Sequence, residues 1–170
     1  MVMIKLVNCG EEHFGTMTLN NSYILIDDFV SESEKSYLLS LVDSDDFIKH
    51  KSTKSAKETS LNFLPITFRN FTRAWIMKMY PNAVQEMHTD GSHLGRNVLL
   101  IHPLSENYSP IVTQNGKVTQ TAIINTQSYH AVYNNNNLRV NLQIAFPYDF
   151  EDIKDKSHNF WNEIQGLYND

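Results

Sequence analysis

Two histidines, an aspartate and an arginine carry the chemistry that this sequence can be read for. In "EMHTDG", His88 and Asp90 stand two residues apart, so in extended chain both side chains leave the same face. That geometry suits a metal ion. It also suits a hydrogen-bonded turn, and the spacing alone does not separate the two readings. The third candidate is His130 in "SYHAVYNNNNLRVNLQ", and nine residues beyond it lies Arg139, at the head of an apolar strand. Two imidazoles and one carboxylate on one side of an ion leave its other side open, the facial arrangement suited to non-haem Fe(II) in oxygen chemistry. A guanidinium stays charged at any accessible pH and offers a planar, two-pronged match to a carboxylate. A buried Arg139 beyond such a metal therefore points to a dicarboxylate that spans both.

The elements that must position these residues follow from periodicity. "YILIDDFV" at 23–30 is β-rich, and the next stretch, "SESEKSYLLSLVDS", places Ser31 and Glu34 at capping-box spacing, so a strand feeds a helix. Leu38, Leu39, Leu41 and Val42 form its apolar stripe. Residues 49–62, rich in Ser, Thr and Lys, read as a polar, irregular excursion, a candidate lid. From Thr72 the pattern turns to strands: "TRAWIMKMY", "RNVLLIHPL" at 96–104, "TAIIN" at 121–125 and "RVNLQIAF" at 139–146. In the last, Val140, Leu142 and Ile144 alternate with Arg139, Asn141 and Gln143 on the opposite face. Asn115-Gly116 within "PIVTQNGKVTQ" predicts a hairpin, and Phe160, Trp161, Ile164 and Leu167 predict a closing helix. The expected fold is mainly β with flanking helices: a β-sandwich or jelly-roll barrel in one domain over residues 1–170.

At this point the chain resembles the Fe(II)/2-oxoglutarate-dependent oxygenase superfamily, whose H-x-D…H…R pattern is met by His88, Asp90, His130 and Arg139. "ILIDDFVSESEKSYLLSLV", "MYPNAVQEMHTDG" and "HAVYNNNNLRVNLQIAF" are similar to its opening strand and helix, its approach to the first ligands and its closing strands. Within it, prolyl-4-hydroxylase-type and aspartyl/asparaginyl-hydroxylase-type proteins look nearest. The resemblance implies a double-stranded β-helix core and a reaction that couples oxidative decarboxylation of 2-oxoglutarate to hydroxylation of a second substrate. It implies Fe(II) on His88, Asp90 and His130, and 2-oxoglutarate and O2 as co-reactants, with ascorbate as an accessory reductant. Arg139 would pair with the remote carboxylate, helped by Tyr80 and Asn141. Asn141 stands where the family often has a hydroxyl residue, Leu99 where prolyl hydroxylases often have threonine, and "NYSPIV" where a Gly-Gly turn is frequent. The implied substrate is a peptidyl prolyl or Asp/Asn side chain; a free amino acid or small metabolite, or a silent binding module, are the alternatives.

Bulk properties narrow the partners. A net charge of −5 over 170 residues argues against a nucleic-acid-binding surface. Lys49-His50-Lys51 with Lys54 and Lys57 reads as a solvated loop. The single cysteine, Cys9, excludes an internal disulfide and a multi-thiolate metal site, so a reducing, cytoplasmic setting is expected. No run of about 18 apolar residues predicts a membrane span. Of the remaining residues, His93 and Arg96 are read as loop or strand-anchoring groups near the site. His102 is read as a satisfied structural imidazole, Trp75 and Tyr108 as core aromatics, and His13, His50 and His158 as surface residues.

Overall fold

The structure is a computed structural model that describes residues 20–49, 59–65, 73–90, 97–155 and 157–166. Cys9, His13, His50, His93, Arg96 and most of the expected lid lie outside these residues. Among the described residues, eleven strands run in chain order: β1 (Tyr23–Leu25), β2 (Ile48–Lys49), β3 (Thr59–Phe63), β4 (Ala74–Met79), β5 (Val84–His88), β6 (Val98–Pro103), β7 (Ile111–Thr113), β8 (Gly116–Val118), β9 (Ala122–Asn125), β10 (His130–Tyr133) and β11 (Arg139–Phe146). They form two antiparallel sheets, β1-β9-β6-β11-β4-β3-β2 and β5-β10-β7-β8. The helices among the described residues are α1 (Glu32–Ser40), α2 (Phe150–Lys154) and α3 (Asn159–Gly166). None of the described helices is long and apolar enough to cross a membrane.

Period-two alternation divides the interior into two layers. Val140, Leu142, Ile144 and Phe146 of β11 join Leu38 of α1, Phe150 and Ile153 of α2, and Phe160, Trp161 and Ile164 of α3 in one core, between the large sheet and the helices. The opposite face of the large sheet contributes Trp75, Met77, Met79, Leu99, Ile101, Ile124 and Ala145 to a second core, closed from the other side by Ile111, Val118 and Val132 of the small sheet. All eight residues of β11 are buried, as a strand covered on both faces requires. Arg139, Asn141 and Gln143 therefore project into the space between the sheets.

Local sequence explains the frame with a few differences. The Ser31/Glu34 capping box forms in both directions. The helix is shorter than its stripe suggests, because Leu41 is already the C-cap; Leu38 is fully buried and Leu39 is exposed. Part of the expected excursion is regular instead. Thr59–Phe63 pairs with β4 in full register, so a neighbouring strand supplies the order that its polar composition does not predict. The hairpin forms one residue early: Thr113 pairs with Gly116, which puts Gln114 and Asn115 in the loop. The Thr113 hydroxyl receives the Asn115 N–H at 3.2 Å and donates to the Gly116 carbonyl at 3.0 Å. The expected closing helix forms as α3 around Phe160, Trp161 and Ile164, with the short α2 before it and Leu167 outside the described residues.

Candidate metal centre

The small sheet builds the centre from two paired strands. His88 ends β5 and His130 begins β10, and the two are direct cross-strand partners. Cross-strand partners lie close enough for their side chains to meet, and here the ring centroids are 4.4 Å apart. Asp90 follows β5 by two residues and is held by its own N–H, which donates to the Thr126 carbonyl at 2.8 Å. Its Oδ1 lies 3.4 Å from His88 Nε2 and 3.7 Å from His130 Nε2. Ligand atoms of all three side chains fall within 4.8 Å of one another, the only such group of three or more His, Cys, Asp or Glu among the described residues.

The far side of each imidazole fixes which nitrogen faces the centre. His88 Nδ1 lies 2.7 Å from the Glu86 carbonyl, and His130 Nδ1 lies 2.9 Å from the Ser128 carbonyl. A carbonyl only accepts, so both Nδ1 atoms carry the proton and both Nε2 lone pairs point inward. Backbone carbonyls orienting ligand imidazoles are the usual outer support of a metal site. A side chain exposure of 31% at His88 against 12% at Asp90 and 11% at His130 leaves the centre reachable from the His88 side. The donor set therefore fits one ion held from one side by two imidazoles and a carboxylate.

A second set of polar groups lies between the sheets. Arg139 is 3% exposed, its Nε donates to the Ser109 carbonyl at 2.9 Å, and Nη2 donates to the Tyr108 hydroxyl. The Tyr108 ring also lies 3.9 Å from the guanidinium carbon. Both partners are neutral; no carboxylate of the described residues pairs with this buried cation. Asn141, on the same face of β11, is fully buried, and neither atom of its carboxamide has a hydrogen-bond partner, although it lies beside the Tyr108 phenol. Burial pulls the Arg139 guanidinium down from its ordinary value and pushes the Tyr108 phenol up, so Tyr108 keeps its proton at neutral pH. A buried cation without a counter-ion and a buried amide without a partner are both costly. One carboxylate placed among them would satisfy both.

Tyr80, the phenol anticipated beside Arg139, is 43% exposed at the end of β4. Tyr108, read from sequence as a core or groove-lining aromatic, is in contact with the guanidinium. It reaches Arg139 from the β6–β7 connection, where Asn107 takes a φ of 50°. Ser109, which supplies the carbonyl for Nε, and Gln85, whose Nε2 lies 3.3 Å from His88 Nε2, also carried no sequence signal. His102 and Trp75 are structural. The first is 5% exposed, with Nδ1 2.8 Å from the Thr121 hydroxyl; the second donates from Nε1 to Gln143 Oε1 at 2.9 Å.

No protein-family model matches the sequence, and no curated protein matches it. Solved structures do. An oxidoreductase of the 2OG-Fe(II) oxygenase family from Burkholderia pseudomallei superposes with a TM-score of 0.57 at 9% identity, covering 82% of this chain and 91% of that one. A Pseudomonas putida prolyl-4-hydroxylase superposes with a TM-score of 0.53 at 7% identity, covering 78% of this chain and 98% of that one. The chain has the fold of these oxygenases. Its two facing sheets are the jelly roll expected from the strand pattern.

Proposed function

We propose that this chain is an Fe(II)- and 2-oxoglutarate-dependent oxygenase that hydroxylates an organic substrate. The observation that carries the reading is the pairing of two incomplete sites in one sandwich: a three-ligand centre open on one side, and a buried guanidinium and carboxamide that lack an anion. His88, Asp90 and His130 would hold the iron. Bound there, iron supplies activation of dioxygen, one oxygen atom entering succinate with loss of carbon dioxide and the other entering the substrate. The protein's own groups bind and orient. Arg139 receives the remote carboxylate of 2-oxoglutarate, the Tyr108 hydroxyl and the Asn141 carboxamide donate to it, and Tyr80 stands at the rim. Buried apolar residues of the same core layer, Met77, Met79, Leu99 and Ile101 among them, would keep water from these groups.

A peptidyl prolyl or Asp/Asn side chain is the first substrate class to test, supported by the fold similarity to a prolyl-4-hydroxylase. The experiment combines two readings. Anaerobic addition of Fe(II) and 2-oxoglutarate should produce a weak visible charge-transfer band, and peptides and free amino acids should be screened for stimulated succinate release with a one-oxygen mass gain. His88→Ala and Asp90→Ala should abolish both. Succinate release that survives either substitution would remove the assignment.

A further inference from the structure

Strand β5 carries more than a metal ligand. On β10, His130 and Val132 are two residues apart; their partners on β5, His88 and Gln85, are three apart, so β5 contains an extra residue opposite Ala131. In a regular strand, residues three apart face opposite ways. The bulge cancels that alternation and turns Gln85 onto the face of His88. The same kink brings the Glu86 carbonyl to His88 Nδ1 and leaves Glu86 and Met87 exposed. With the proton held on Nδ1, Nε2 presents one lone pair, and the Gln85 carboxamide N–H lies 3.3 Å from it.

We propose that Gln85 is a positioning residue that acts as a displaceable cap on the ligating nitrogen of His88, so that its carboxamide and a metal ion compete for a single lone pair. This rests on the reading of His88, Asp90 and His130 as a metal centre. An imidazole nitrogen has only one lone pair in the ring plane, so the amide donor and the ion are mutually exclusive partners. On His130, Nδ1 likewise donates to a backbone carbonyl, that of Ser128. His88 is the more exposed of the two imidazoles, and the Gln85 amide lies against its ligating nitrogen. Metal affinity is lower by the strength of the amide contact, and an ion leaves by way of His88, where a replacement donor is already in reach.

Gln85→Leu keeps the volume and removes the donor; Gln85→Asn keeps the amide and shortens its reach. In both, the Co(II) affinity of the full chain, measured by competition with a chelator, should rise about fivefold, the equivalent of one ordinary hydrogen bond. In chelator-treated protein, the 15N resonance of His88 Nε2 should move while that of His130 Nε2 stays. Unchanged or weaker affinity overturns the proposal, as does an unmoved His88 signal. If the signal moves and the wild-type chain binds no Co(II), the metal-centre reading has failed and the competition falls with it, although the amide contact is real. Tighter Co(II) binding without hydroxylation of any substrate leaves the cap standing and removes only the reaction.

Discussion

Tyr108 does two things to Arg139: its ring covers the guanidinium, and its oxygen accepts from Nη2. Having accepted there, the phenol keeps its own proton for a second acceptor. Tyr108→Phe retains the ring and deletes that donor, so the KM for 2-oxoglutarate should rise about three- to tenfold with a smaller change in kcat. Steady-state succinate release at varied cosubstrate decides it; an unaltered KM would place the carboxylate elsewhere. A second residue-scale expectation concerns His102. Burial lowers its pKa from the ordinary 6.5, and Asp28 only partly opposes this. The unfolded chain then binds the proton more readily, so this contribution to stability is fully present above about pH 6.5 and is lost as pH falls through the lowered folded value. Denaturant midpoints between pH 7.5 and about 5 should fall in the wild type and fall less in His102→Gln, whose amide keeps a polar partner for Thr121.

Among the elements, the connection from β10 to β11 has most consequence, because it joins His130 to Arg139. Its four asparagines look like a low-complexity run, yet each of the first two has separate work. Asn134 Nδ2 lies 3.1 Å from the Met79 carbonyl, 2.8 Å from that of Tyr80 and 2.9 Å from that of Asn137. Asn135 receives the Asn82 N–H at its carbonyl, donates its own N–H to the Ser109 hydroxyl and reaches the Asn107 carbonyl from Nδ2. Three loops are thus tied around the end of the sandwich that holds Arg139. Asn134→Ala should lower stability by about 1–3 kcal/mol, read by urea denaturation, since the buried Met79 carbonyl and two partly buried ones lose a shared donor.

These elements also show what could be read in advance. β11 was legible to the residue, because its apolar positions alternate strictly and Arg139 opens the run. The cluster of His88, Asp90 and His130 that could hold a metal was legible because the spacing of His88 and Asp90 and the presence of His130 are properties of the chain. Gln85 was not, because a bulge reverses its face and a bulge is settled by pairing with β10. Tyr108 was not, because its position depends on the path of an irregular connection. β3 escaped because its order comes from the neighbouring β4 and from no pattern of its own.

For the whole molecule, the question is how the two sheets stay in register as one barrel. At one edge they are fastened by β1 and the β7–β8 turn: the Ser22 hydroxyl donates to Asn115 Oδ1 at 2.6 Å, and the Tyr23 hydroxyl lies over Gly116. Gly116 has a φ of 146°, which side chains rarely adopt, and a Cβ there would stand 2.8 Å from Tyr23 Oη. Gly116→Ala should therefore cost about 1–3 kcal/mol in stability, measured by thermal or urea unfolding. Tyr23→Phe in the same background should recover only the contact part of that loss, because the backbone strain remains.

The guanidinium between the sheets has a consequence beyond the proposed binding of a cosubstrate. A chain that folds around an uncompensated cation is less stable than the same chain with an anion in place, and any small diacid that reaches Arg139 shifts the folding equilibrium in proportion to the logarithm of its concentration. Succinate keeps the remote carboxylate of the molecule it came from. The spent product should thus linger as a stabiliser and a competitor, raising the melting temperature and slowing turnover as it accumulates.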